Sequence, residues 1–211
     1  MKKILSIFMV VCSCFGITFA NDATLSQKKV YIVHGYAANK NAHWFSWLKN
    51  KLEAKGVSVE VLDMPDSLDP KLDKWLATLQ NSIKNVDENT FIIGHSLGCI
   101  TTLRFIESLD EDKRLGGVLL VSGFYEPLSI LPVLDPFVKE PLQSKKLIKM
   151  INKRIVLSAK DDVIVPTNLS ENLAKAINAK FVQMPKGNHF MEEDGFKELP
   201  MALQLIEEEL Q

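Results

Sequence analysis

The sequence predicts an α/β fold, a mainly parallel β-sheet covered by helices on both faces. Three observations predict it. Short continuous apolar runs, such as Val30-Tyr31-Ile32-Val33 and Phe91-Ile92-Ile93, are rich in β-branched and aromatic residues and do not alternate with polar ones, the pattern of strands buried on both sides. Amphipathic helical stretches separate these runs, as a sheet built from β-α-β units requires. The chain has 211 residues, 46% of them hydrophobic, enough for one domain with a sizeable core.

Taken in order, residues 30–33 read as the first strand, ended by His34-Gly35. Residues 44–55 read as a helix with Trp44, Trp47, Leu48 and Leu52 at helical spacing and Gly56 as its stop. The three tryptophans, Trp75 included, read as core packing, with a substrate wall formed partly by Trp44 or Phe45 as the alternative. Residues 57–62 are the second strand, and Pro65 and Pro70 punctuate the loop that follows. Residues 72–83 place Leu72, Trp75, Leu76, Leu79 and Ile83 on one side of a helix. The third strand is 90–93, a turn occupies 94–98, and a helix runs over 100–109. Strands at 117–121, 154–158 and 180–184 and helices at 168–177 and 196–209 complete the pattern.

Residues 123–153 depart from it. Pro127, Pro132, Pro136 and Pro141 alternate there with Leu128, Ile130, Leu131, Val133, Leu134, Phe137 and Val138. The segment is too long for a plain loop. It reads either as a packed irregular crossover or as a small cap, and Leu131, Leu134 and Phe137 are its candidate substrate-pocket residues.

The first twenty residues read as a leader outside the fold. Lys2 and Lys3 precede an apolar stretch, and Thr18 and Ala20 are small residues at −3 and −1 of a cut before Asn21-Asp22. This is the layout of a secretory signal peptide. An uncleaved membrane anchor and lipidation at Cys14 are the alternatives. Residues 21–28 read as a flexible lead-in to a domain spanning 29–211. Cleavage leaves Cys99 as the only cysteine, so the exported domain has no internal disulfide and stands on its core. Cys99 itself lies in an apolar stretch and reads as a small core residue. The 25 basic and 26 acidic residues give a net charge of −1; without Lys2 and Lys3 the balance is 23 to 26, or −3. No basic stripe stands out, which argues against a nucleic-acid partner.

The strongest chemical signal is Gly94-His95-Ser96-Leu97-Gly98. A G-x-S-x-G turn between a strand and a helix holds its serine in a strained conformation at a helix N-terminus, where backbone N–H groups face developing negative charge. A serine hydroxyl needs a base. Of the four histidines, only His189, in Gly187-Asn188-His189-Phe190, follows Ser96 in sequence. An acid is expected between them, after the fifth strand, where Asp161 and Asp162 stand side by side. Composition does not choose between the two. His34 has two readings, a shaper of the loop after the first strand or a satisfied near-core histidine. His95 reads as structural and His43 as loop surface or packing. There is no H-x-x-x-H, no paired-cysteine cluster, no G-x-G-x-x-G after the first strand and no phosphate-loop motif, so neither metal nor cofactor is expected.

His34-Gly35-Tyr36, Trp44-Phe45-Ser46-Trp47-Leu48, the Ser96 turn, Asp161-Asp162-Val163-Ile164-Val165-Pro166 and Gly187-Asn188-His189-Phe190 together resemble, in order, the landmarks of the α/β-hydrolase superfamily. Within it, they resemble the small RBBP9/YdeN-like serine hydrolases, over about residues 29–210. The resemblance implies an α/β-hydrolase-like three-layer sandwich of about six mainly parallel strands in order 2-1-3-4-5-6, with a reduced cap. It places the acid on Asp162, because the family's D-x-x-V-P ends on Val165-Pro166. It carries the nucleophile to Ser96, the base to His189 and the oxyanion hole to the backbone N–H groups of Tyr36 and Leu97. The expected activity is that of a serine carboxylesterase on small or medium acyl esters, with an amidase, an acyltransferase or a non-catalytic binding protein on the same scaffold as alternatives. The leader sets this chain apart from many of these relatives and implies a periplasmic or secreted protein, acting as a monomer or weak homo-oligomer.

Overall fold

A computed structural model describes residues 25–210. The leader, its cleavage junction, Cys12, Cys14 and the lead-in as far as residue 24 lie outside the described residues. Leu25, within the expected flexible lead-in, packs against the core.

Six strands form one sheet in the order β2-β1-β3-β4-β5-β6: β1 Lys29–Val33, β2 Ser58–Leu62, β3 Thr90–His95, β4 Leu115–Val121, β5 Ile151–Ala159 and β6 Lys180–Met184. All five pairings are parallel. The carboxyl ends of all strands therefore share one edge, where sites form in such sheets. The order is the one the family resemblance implies.

The helices divide by face. Helix α1 (Phe45–Glu53) and α7 (Pro200–Leu210) cover one side, where Phe45, Leu48, Leu52, Leu205 and Ile206 meet Val30, Ile32, Phe91, Ile93, Leu119 and Val121. Helices α2 (Leu72–Ser82), α3 (Leu97–Glu107), α5 (Ser144–Met150) and α6 (Thr167–Ala176) cover the other, packing Trp75, Leu103, Leu147 and Leu173 against Val33, Ile92, Leu120 and Val156. Alternate residues of one strand thus feed two separate cores, which is why these strands are apolar throughout.

The crossover between β4 and β5 holds a 3₁₀ turn at Pro132–Leu134, the short helix α4 (Asp135–Val138) and α5. It is pinned to α3. The buried Arg104 donates from Nε to the Phe137 carbonyl at 3.1 Å and from its guanidinium to the carbonyls of Glu140 and Pro141, and it pairs with the buried Glu107 at 2.7 Å. The Glu107 carboxylate also accepts the Gln143 N–H. Leu134 and Phe137 are 1% and 0% exposed, inside the core that contains Leu97 and Leu103, and Phe137 meets Trp75 edge-on. The expectation that they line a substrate pocket is corrected: both side chains are consumed in joining the crossover to α2 and α3. Leu131 is partly buried against the same core.

Candidate active site

The turn at Ser96 follows from close packing. Strand β3 runs directly into α3, and Ser96 between them has φ 52° and ψ −119°, a strained conformation for a residue with a Cβ. The flanking glycines are required by contact. A methyl group on Gly94 would lie 2.8 Å from the backbone of Cys99, and one on Gly98 would run into the Val33 carbonyl. Ser96 is the residue before the first turn of α3, and its side chain does not cap that helix. The Leu97 N–H, first of the helix, belongs to the set without intrahelical partners. The helix therefore begins at Leu97, three residues earlier than the sequence pattern places it.

Gly35 approaches Ser96 closely; a Cβ there would be 2.9 Å from the Ser96 Cβ and 3.5 Å from its Oγ. This puts the His34-Gly35-Tyr36 turn against the serine. His34 shapes that turn, one of its two readings from sequence, and it is also fully buried and satisfied, the other. The Met64 N–H donates to His34 Nε2 at 2.9 Å, so the ring proton sits on Nδ1, which donates to the Gly35 carbonyl at 2.8 Å. In a trans peptide the following N–H points away from that carbonyl, so the bond also sets the direction of the Tyr36 N–H. Burial lowers the His34 pKa and keeps the ring neutral in this role.

The two aspartates after β5 separate cleanly. Asp162 is buried, and every partner of its carboxylate is a donor. Oδ1 accepts the N–H groups of Ile164 and Val165 at 2.9 and 2.8 Å, and Oδ2 accepts the Ser122 hydroxyl at 2.8 Å. His189 Nδ1 lies 2.9 Å from Oδ2 and 3.1 Å from Oδ1. The result is a buried Ser122–Asp162–His189 network in which Nδ1 carries the imidazole proton and Nε2 is left as an acceptor. Asp161 points the other way, and its Oδ1 accepts the N–H groups of Gly187 and Asn188 at 2.8 and 2.9 Å.

The loop that presents His189 is tied at almost every backbone group. Asp194 Oδ2 accepts the N–H groups of His189 and Met191, each at 3.1 Å. His95 Nε2 donates to the His189 carbonyl at 2.8 Å, and Trp44 Nε1 donates to the Phe190 carbonyl at 3.1 Å. Trp44 and Phe45 are fully buried, so they act by packing and this one bond rather than as a substrate wall. His43 packs edge-on against Phe45 and His95, and its Nδ1 accepts the Glu192 N–H. Burial pushes the Cys99 thiol well up, as suits a core residue. Among the described residues, no group of three His, Cys, Asp or Glu side chains is placed to hold a metal ion, and no helix is long and apolar enough to cross a membrane.

Sequence reasoning missed Ser122, Asp194 and the bonds made by Trp44 and His95. Ser122 carries a positive φ of 50° at the end of β4, and no residue pattern announces it.

The family profile described as serine hydrolase matches residues 30–208. YdeN of Bacillus subtilis (strain 168), a hydrolase by name, is 44% identical over 179 residues, which cover 85% of this chain and 94% of that protein. The crystal structure of the B. subtilis ydeN gene product superposes with a TM-score of 0.85 at 42% identity, covering 86% of this chain and 98% of that one. Serine hydrolase RBBP9 of Rattus norvegicus is 26% identical over 169 residues, 78% of this chain and 88% of the relative.

Proposed function

Because the chain belongs to the serine hydrolase family, in its small RBBP9/YdeN-like branch, we propose that it is a carboxylesterase acting through Ser96, His189 and Asp162 on small or medium acyl esters. The observation that carries this reading is the presence in one fold of two preorganised halves. One is a strained serine at a helix start beside Gly35; the other is an imidazole whose Nδ1 is bound to a buried carboxylate.

Asp162 holds the His189 proton on Nδ1, leaving Nε2 to accept the Ser96 proton as Oγ attacks the ester carbonyl. The N–H groups of Leu97 and Tyr36 receive the oxyanion. Collapse of the tetrahedral intermediate breaks the bond to the alcohol, which leaves with the proton from His189. Water then gives a proton to His189 and attacks the acyl carbon. Collapse returns the Ser96 hydroxyl and releases the carboxylic acid. Ser122 is the competing serine, but its hydroxyl donates to the acid itself and so sits on the Nδ1 side of the base. It therefore supports Asp162 instead of acting as nucleophile.

Purified mature protein is expected to hydrolyse p-nitrophenyl acetate and butyrate, and Ser96→Ala is expected to abolish this. Wild-type protein inert toward every ester tested would favour a binding protein on this scaffold.

The reading extends to location. The Lys2-Lys3 start, the apolar stretch and Thr18-Phe19-Ala20 support export with cleavage after Ala20. N-terminal sequencing of exported protein should then begin at Asn21, and intact Met1 on all recovered protein would refute it.

A further inference from the structure

We propose that His95 is a positioning residue that, through the backbone carbonyl of His189, locks the catalytic base to the strand that carries the nucleophile. The inference rests on the catalytic reading of Ser96 and His189 and goes beyond it by adding a fourth side chain on which that reading depends.

His95 is the last residue of β3, immediately before Ser96, and is 1% exposed. Its Nε2 lies 2.8 Å from the His189 carbonyl oxygen. A carbonyl only accepts, so Nε2 carries the proton. Nδ1 of the same ring is buried with no hydrogen-bond partner. The ring is enclosed by the rings of His43, Trp44, Phe45 and His189, at centroid distances of 5.4, 5.9, 5.8 and 5.1 Å. An apolar side chain would fill this space without stranding a lone pair, and a buried unpaired acceptor is unfavourable. What the imidazole supplies that an apolar group does not is the single Nε2–H bond.

The recipient of that bond explains its use. Asn188 and Phe190, on either side of His189, both have positive φ, 44° and 55°, so the loop is strained exactly where the base is attached. Asp194 fixes the His189 N–H and Asp162 fixes its Nδ1. The carbonyl is the remaining backbone handle, and His95 holds it. With N–H, carbonyl and ring all tethered, Nε2 has one position relative to the Ser96 turn. Burial, then repulsion from His189 and His43, keeps the His95 ring neutral. The donor role needs no charge.

The test compares His95→Leu, His95→Gln and His95→Asn in steady-state ester hydrolysis, with Ser96→Ala alongside. The longer amide of Gln reaches the place of Nε2, whereas that of Asn stops near Nδ1. Misplacing a base by about 1 Å costs on the order of 10²-fold. His95→Leu and His95→Asn are therefore expected to lose roughly 10- to 100-fold in kcat with KM within about twofold, and His95→Gln is expected to recover kcat to within about fivefold of wild type. Should His95→Leu fail to fold, the Gln and Asn pair carries the same comparison. Equal losses in Gln and Asn, or wild-type kcat in Leu or Asn, overturn the proposal. Loss of activity in Ser96→Ala together with either result would overturn the positioning role alone, while full activity in Ser96→Ala would overturn the catalytic reading beneath it.

Discussion

The Ser122 hydroxyl donates to Asp162 Oδ2 at 2.8 Å, and that same oxygen faces His189 Nδ1 at 2.9 Å. Ser122 thus braces the carboxylate oxygen that the base also engages. Ser122→Ala is expected to lower kcat by about tenfold, the scale of one lost hydrogen bond to a charged group, with the fold retained. Ester kinetics and a thermal melt check this. A loss as deep as that of Ser96→Ala would make Ser122 part of the reacting set.

The paired aspartates make a second prediction. Asp162→Asn is expected to cost on the order of 10⁴ in kcat, because an amide does not hold the imidazole in the required tautomer. Asp161→Asn keeps an acceptor for Gly187 and Asn188 and is expected to stay within about tenfold of wild type. Asp161→Ala removes that acceptor from both N–H groups and should cost about 1–3 kcal/mol of stability. Kinetics of the two Asn variants decide the matter; equal losses, or the reverse order, would contradict the assignment of the acid.

The crossover yields a third. Phe137→Ala should cost about 3–5 kcal/mol and Leu134→Ala about 2–5 kcal/mol, since both leave cavities in a closed core. The relative rates on acetate through octanoate esters should keep their shape in both variants. A changed chain-length profile with an unchanged melting temperature would restore these two residues to a pocket wall.

How much of this was legible in sequence depends on the kind of signal. The Ser96 turn was readable because two glycines are forced by backbone contact, and β6 because Phe181, Val182 and Met184 mark a short strand-like stretch. Strand β5 extends upstream to Ile151, through Asn152 and Lys153, because pairing of Ile151 with Leu115 outweighs the poor strand preference of the polar pair. Helix α7 starts at Pro200, not at residue 196; proline at a first helical position is a start signal that periodicity alone overlooks. Asp161 and Asp162 are indistinguishable by composition and differ only in where one residue's step along the turn aims each side chain. Ser122 acts on Asp162, far along the chain, so no local pattern marks it, whereas Asp194 binds the N–H groups of Met191 and His189 within its own loop, where several acidic residues stand together.

A fourth prediction concerns pH. Burial lowers the pKa of His34 and holds that of His95 well below 6.5 in the folded state. Below about 6.5 the unfolded chain therefore binds more protons than the folded one. Stability is fully present above the unfolded value and is lost as pH falls from there toward the folded values. Each histidine that stays neutral contributes a slope of at most about 1.4 kcal/mol per pH unit in that window. Thermal melts from pH 7.5 to 5.0 should fall, and His95→Gln, which does not titrate, should flatten the decline. A melting temperature that rises on acidification would contradict this.

The central claim is that Ser96 is the nucleophile, and the most direct measurement is the site of covalent capture. Purified protein treated with a fluorophosphonate and digested should carry the phosphonyl mass on the peptide containing Ser96, with labelling lost in Ser96→Ala and in His189→Ala and kept in Ser122→Ala. Label on the peptide containing Ser122, or undiminished labelling and turnover in Ser96→Ala, would contradict the account.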